Sequence, residues 1–215
     1  MLSPHKFSYT TFDSISEKEK PNLIHLTSQD YSPVGGQLDA PALWNFFSTT
    51  KPGRWVVKYG STPIGLSALS PLPEVGGFYQ TGTYIFSKYR GKGYNPILKK
   101  TTLAAFNANP NAHKLGAVIK EWNVRSQKAM KNVFPDIEPG KLFFSPEDAK
   151  KYGGEYQYFY DYSSYPGVDL SEYFNTSVYQ TIFDWATEHF QTTYISVNAE
   201  TPVVISELAE TKISK

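Results

Sequence analysis

Cysteine is absent from this sequence of 215 residues, which excludes disulfide scaffolds, thiolate metal sites and cysteine nucleophiles together. The redox compartment is left open by that absence. No apolar run approaches the roughly 18 residues that a membrane-spanning helix needs, and residues 1–20 are polar with no cleavable apolar segment. The expectation is a soluble, cytoplasmic protein with no membrane partner. An excess of one charge is lacking too, since the formal net charge is only +1. A protein that coats nucleic acid draws its affinity from released counterions and carries many more Lys and Arg than acids. Nucleic acid is therefore a disfavoured partner, open only to a local patch. His5, His25, His113 and His189 have no paired spacing, so no metal is expected. What the chain does have is bulk: 40% hydrophobic and 16% aromatic residues exclude a disordered, collagen-like or coiled-coil chain and suffice for a buried core.

Charge is distributed unevenly along the chain. Residues 75–134 hold ten bases, among them Lys88, Arg90, Lys92, Lys99 and Lys100, against Glu121 alone. Residues 135–215 hold thirteen acids and five bases, which nearly restores neutrality. The middle of the chain is suited to an anion. Lys99, Lys100, Lys114 and Lys128 read equally well as decoration of solvated helix faces.

Periodicity places the elements. Arg54–Tyr59, a Gly60-Ser61 turn and Pro63–Leu69 form an expected β-hairpin. A helix is expected over Pro41–Ser48, capped by Asp39, and a strand over Phe78–Phe86. That strand runs into Tyr89-Arg90-Gly91-Lys92-Gly93-Tyr94-Asn95-Pro96 and a helix to about Asn107, with Asn95 as its cap and Pro96 in its first turn. Leu115–Ile119 reads as a buried strand and Arg125–Val133 as a helix. Tyr156, Tyr158, Tyr160 and Tyr162 alternate as on one face of a strand. Packing under the next helix is the favoured role of that face. The helix is expected from Leu170 to Phe190, capped by Asp169, and two strands, Thr192–Val197 and Val203–Leu208, follow it before a frayed tail.

A strand ending in Arg-Gly-Lys-Gly and feeding a helix presents unpaired backbone N–H groups at the positive end of the helix dipole. Such a turn suits a phosphate. It is neither a Walker A loop nor a dinucleotide fingerprint, because the required residues do not follow at the required spacing.

The run Ile85 to Lys100 resembles the acyl-CoA motif of the GNAT superfamily of N-acetyltransferases, a pattern of Arg or Gln, two residues, Gly, one residue, then Gly or Ala. Here Arg90 and Gly93 match, and Asn95 departs at the last small position. A second match lies downstream, where the family follows its next strand with Asn, then Ser or Ala, then a Gly-Phe pair. The counterparts are Asn123, Ser126 and Val133-Phe134, with Val133 in place of glycine. Together the motifs span about 60 residues, and the hairpin matches the strands expected upstream.

The resemblance implies an α/β (α+β) fold: a mixed, mostly antiparallel sheet flanked by helices, in which two parallel strands splay to admit coenzyme A. Residues 1–215 would be a single domain, with a core at 20–134 and an extension at 135–215 that completes the sheet and acceptor pocket. The cosubstrate implied is acetyl-CoA or another acyl-CoA. Amides of Gly91, Lys92, Gly93, Tyr94 and Asn95 would hold its pyrophosphate with Arg90 beside them. Ile85 and Phe86 would pair their main chain with the pantetheine arm, and Asn123 and Ser126 would line its other side.

The reaction implied is direct attack of a primary amine on the thioester. A backbone N–H near Ile85 would polarise the carbonyl. Family members commonly supply the thiolate's proton from a tyrosine seven residues after Asn123, where this chain has Met130. A tyrosine of the carboxyl-terminal segment, or water, would then serve. The strand carries Gln80, Thr81, Thr83 and Tyr84 where many members have a catalytic Glu, which leaves Glu121 and Tyr84 as candidate bases. The acids after Pro135 suit a cationic small-molecule or protein acceptor. Two other readings stand beside this one: an inactive CoA-sensing or protein-binding module, and an acyltransferase acting on nucleic acid or an aminoacyl group. Oligomeric state is open, a dimer included.

Overall fold

The computed structural model describes residues 2–28, 48, 53–72, 78–109, 114–143, 145–152, 154, 156–162, 165 and 169–196. The helix expected at Pro41–Ser48, apart from Ser48, and the strand expected at Val203–Leu208 lie outside those residues.

Alternation of β-branched and aromatic residues builds the strands. In β2 (Arg54–Tyr59) Trp55 and Val57 point to one face and Val56 to the other, the period that places successive side chains on opposite sides of a pleated strand. The Gly60-Ser61 turn returns the chain into β3 (Thr62–Leu72), and β1 (Phe7–Thr11) pairs with the other edge of β2. Next comes β4 (Phe78–Ile85), antiparallel to β3. Gly65 of β3 lies so close to β4 that a Cβ there would meet the Tyr84 carbonyl oxygen at 2.3 Å.

A helix, α2 (Tyr94–Ala108), crosses over to β5 (Lys114–Lys120), which lies parallel to β4. Then β7 (Tyr156–Asp161) pairs antiparallel with β5, and β6 (Gly140–Phe143) forms the outer edge. Among the described residues the order β1-β2-β3-β4-β5-β7-β6 gives a seven-stranded, mostly antiparallel sheet flanked by helices. Residues after Pro135 thus complete the sheet.

One face packs Leu23 and Leu26 of α1 (Lys20–Ser28) against Val56, Leu66, Ala68 and Phe86. The opposite face carries the larger core: α2, α3 (Val124–Val133) and α5 (Ser177–Ser196) cover Trp55, Val57, Tyr79, Leu115 and Ala117. Val178, Ile182, Trp185 and Ala186 form the buried stripe of α5 at helical spacing. A short helix, α4 (Pro146–Tyr152), joins β6 to β7.

The carboxyl-terminal elements differ from expectation. A 3₁₀ turn at Ser171–Tyr173, whose Ser171 amide donates to the Asp169 carboxylate at 2.9 Å, precedes α5, which starts only at Ser177. The Thr176 hydroxyl caps α5 by accepting the Tyr179 amide at 3.0 Å. Thr192–Ser196, expected as strand, continues α5, because a helix already anchored by its apolar stripe overrides the local preference of β-branched residues. Just past β7, Tyr162 stacks on Phe134, the residue that follows α3, with ring centres 4.6 Å apart. No helix among the described residues is long and apolar enough to cross a membrane.

Candidate functional site

Among the described residues the strands β4 and β5 pair at Phe78 with Lys114, Tyr79 with Leu115 and Gln80 with Gly116, and not beyond Gln80 and Gly116. Beyond that point β4 stays bonded to β3 as far as Ile85, and β5 to β7 as far as Lys120. Each strand is held on its outer side while the inner edges part. The open edge of β4 presents unpaired main-chain groups to an extended ligand that carries amides.

A polar clamp sits at the apex. Thr81, the first residue past the last pair, donates its hydroxyl to the Gly116 carbonyl at 3.3 Å and is hydrogen-bonded to the Tyr162 hydroxyl. Since the Thr81 proton goes to Gly116, the Tyr162 hydroxyl donates to Thr81. Burial pushes the Tyr162 phenol far above its usual range. A second buried chain lies beside it: Tyr9 donates to Ser67 at 2.9 Å, and its phenol is pushed up to about 12 by burial.

At the mouth, Ser87–Tyr89 forms a 3₁₀ turn and the chain then reaches α2 through Gly91 and Gly93, with φ of 74° and 81°. These left-handed conformations favour glycine. Gly93, not Asn95, is the N-cap of α2; Asn95 takes the second helical position and Pro96 the third. Among the described residues the amides of Gly91, Lys92, Gly93, Tyr94 and Asn95 make no hydrogen bond to other elements. Open space surrounds the Cα of Gly91, and a Cβ on Gly93 would meet only Leu2 at 3.6 Å. The ammonium groups of Lys88 and Lys92 lie 4.9 and 5.3 Å from the Tyr89 ring, which holds both cations beside the turn. A cavity of about 380 Å³ adjoins the turn, lined by Leu2, Pro4, Lys92, Gly93, Ile97, Glu172 and Tyr173. None of these belongs to β4 or β5, so the cavity is separate from the splay.

Arg90 folds back, donating Nε to the Ile85 carbonyl at 2.7 Å, with its guanidinium 5.5 Å from the Tyr84 ring centre. The carbonyl retains a second lone pair. Phe86 buries its ring beneath α1, and its amide donates to Ile64 O at 3.0 Å. Across the mouth, β5 leads into α3, whose N-cap is Asn123: its side chain accepts the Ser126 amide at 3.2 Å. Because β4 and β5 are parallel, the Gly91–Asn95 turn and the Asn123–Ser126 cap stand at the same edge of the sheet.

The two candidate bases lie apart. Tyr84 sits on the α1 face of β4, packed edge-on against Phe86. The Glu121 carboxylate reaches toward Tyr156 and Gly154 on the β7 side; the Tyr158 hydrogen bond first, then desolvation and the Glu121 charge, push the Tyr156 phenol up to about 12.

Met130 is 1% exposed and packs in the core. Lys99 does not decorate a solvated face: it is 7% exposed, with its ammonium 5.8 Å from the Tyr162 ring. Burial pulls that ammonium down to about 8. A lysine following Leu98 in a run of helix formers carries no local sign of burial; the only sequence clue was the tyrosine face that meets it.

Coenzyme A fits these residues. Free amides at two left-handed glycines suit its pyrophosphate, and the open β4 edge suits its amide-bearing arm. The Asn95 Oδ1 is buried without a hydrogen-bond partner, an acceptor that a ligand N–H or O–H would satisfy. No group of three metal-ligating side chains occurs among the described residues.

A splayed parallel pair opening onto a turn with two left-handed glycines suits a ligand that joins a phosphate to an extended, amide-bearing arm. Residues 16–133 match the family described as an acetyltransferase (GNAT) domain; with more than half of its length matched, the chain belongs to the GNAT acetyltransferase family. Comparison with curated proteins finds no match. A GNAT-family acetyltransferase from Bacillus anthracis is similar in structure, with a TM-score of 0.54 and 19% identity over 74% of this chain and 96% of that one. A mutant of the spermidine N-acetyltransferase SpeG from Vibrio cholerae has a TM-score of 0.50 and 14% identity over 79% of this chain and 97% of its own. At such identities the likeness is one of fold.

Proposed function

We propose that the protein transfers an acyl group, acetyl first among them, from acyl-CoA to a primary amine by direct attack. The observation that carries this is the end of β4–β5 pairing at Gln80 and Gly116, followed by a splay toward the amides of Gly91 to Asn95, which make no hydrogen bond to other elements among the described residues. In this reading those amides, with Arg90, hold the pyrophosphate. The open main-chain edge of β4 up to Ile85 holds the pantetheine arm, Phe86 being already bonded through its amide to Ile64 and through its carbonyl to Tyr89, and Asn123 and Ser126 flank it.

The amine nitrogen attacks the thioester carbon, a main-chain amide of the open β4 edge stabilises the oxyanion, and the C–S bond then breaks with its electron pair on sulfur. Of the two candidate bases, Tyr84 is assigned to the acceptor amine because it lies on β4 itself. Glu121 is assigned to holding Tyr156. The acceptor approaches from the α1 face, opposite α2 and α3.

The test is calorimetric titration with acetyl-CoA, CoA and dephospho-CoA, repeated on Gly93→Asp. Micromolar binding by the wild type, lost when a carboxylate enters the cradle, supports the reading and justifies a screen of amine acceptors by thiol release. Absence of binding by the wild-type protein would overturn it.

A further inference from the structure

We infer that Lys99 meets the departing sulfur of the acyl-CoA and gives it a proton, an assignment that rests on the transfer proposed above. Because β4 and β5 are parallel, α2 must run back along β4 toward the apex. Lys99 lies about 9 Å down the helix from Gly93 at 1.5 Å per residue, one turn beyond Asn95 on the same face. The open edge of β4 from Ile85 back to Thr81 spans about 13 Å, so Lys99 stands over its inner half. Contact with the Tyr162 ring fixes the ammonium there, and Tyr162 is tied to Thr81 at the apex. An acyl-CoA anchored at residues 91–95, with its arm along the open edge, brings its sulfur to this end.

Rival proton donors are eliminated by what they already do. Met130 has no proton to give, and the Tyr162 hydroxyl is committed to Thr81. Lys99, by contrast, makes no hydrogen bond or ion pair among the described residues. The titratable groups around it leave it the acidic member of the set. Tyr162 is held protonated by burial, with smaller contributions from Tyr9 and Asp161. From α3, Arg125 and Lys128 are exposed and Lys131 pairs with Glu138. From α5, Asp184 and Glu188 are exposed, the former bonded to Gln180. An ammonium lowered to about 8 by burial gives up its proton more readily than an ordinary lysine. The step balances: the C–S bond breaks, sulfur takes the electron pair, an N–H proton moves to sulfur, and neutral Lys99 is reprotonated from solvent through the mouth.

The experiment needs no acceptor. CoA bound to the wild type, Lys99→Met and Lys99→Gln is titrated by thiolate ultraviolet absorbance, with S-methyl-CoA as the blank and calorimetry to verify that CoA is bound. Circular dichroism shows which variants fold; two of different polarity keep the comparison available. A cation beside the sulfur favours its thiolate, so the wild-type complex should ionise at a pH lower by about one unit, tenfold in the ionisation constant, than either variant. Equal ionisation in wild type and variants that bind CoA would overturn the assignment and leave the transfer reading standing. A wild type that does not bind CoA would overturn both.

Discussion

Replacing Lys99 by Met should make the protein more stable at neutral pH. The two side chains are similar in length, and Met retains the packing of the buried stem without the charge. In the folded protein burial pulls the ammonium from 10.5 to about 8; at pH 7 the charged form therefore costs the fold about 3 kcal/mol. The unfolded chain binds the extra proton between pH 8 and 10.5, so wild-type stability rises with pH across that window. Tyr9 and Tyr162 act in the opposite sense. Their raised phenols contribute stability below pH 10 that is lost as pH climbs further, so the comparison belongs between pH 7 and about pH 9.5.

Urea melts at both ends of that range should show Lys99→Met more stable by about 2–3 kcal/mol at pH 7, or roughly 4–10 °C in melting temperature for a chain of this size. The gap should narrow to about 1 kcal/mol near pH 9.5. A variant less stable than wild type at pH 7, or a gap independent of pH, would refute the view that the fold holds an uncompensated ammonium. A residue whose removal stabilises the fold is retained for another reason, which is what the assignment of Lys99 to the leaving sulfur supplies.

Other perturbations test the frame of the site. Asn123→Ala removes the acceptor of the Ser126 amide and should cost about 1 kcal/mol by thermal melting. If Asn123 also lines the cofactor, acetyl-CoA affinity should fall in the same variant. Thr81→Val leaves the Tyr162 hydroxyl and the Gly116 carbonyl without their shared partner and should cost about 1–3 kcal/mol. A double-mutant cycle with Tyr162→Phe should recover part of that loss, and full additivity would show that the two hydroxyls do not interact.

Local signals were strong where glycine, proline and period-2 alternation coincide. Arg54–Tyr59, the Gly60-Ser61 turn and the strand from Phe78 all appear where periodicity places them. The turn after β4 was legible because Gly91 and Gly93 adopt left-handed conformations that favour glycine. Legibility ended where a neighbour decides. β1, β6 and α1 are short and weakly patterned, and they exist because β2, β7 and the α1 face of the sheet are there to receive them. The β-branched run at Thr192 reads as strand in isolation, yet continues a helix whose stripe is buried elsewhere.

By itself, the sequence determined the family, the glycine turn between β4 and α2 and the order of the central elements, because these rest on backbone conformations and periodicities encoded within a few residues. Only the tertiary structure decided that β4 and β5 part after Gln80 and Gly116, that Glu121 leans toward Tyr156, and that Lys99 is buried over Tyr162 at the apex. The solvation of a lysine and the direction of a carboxylate depend on chain segments tens of residues away, and no local pattern carries that information.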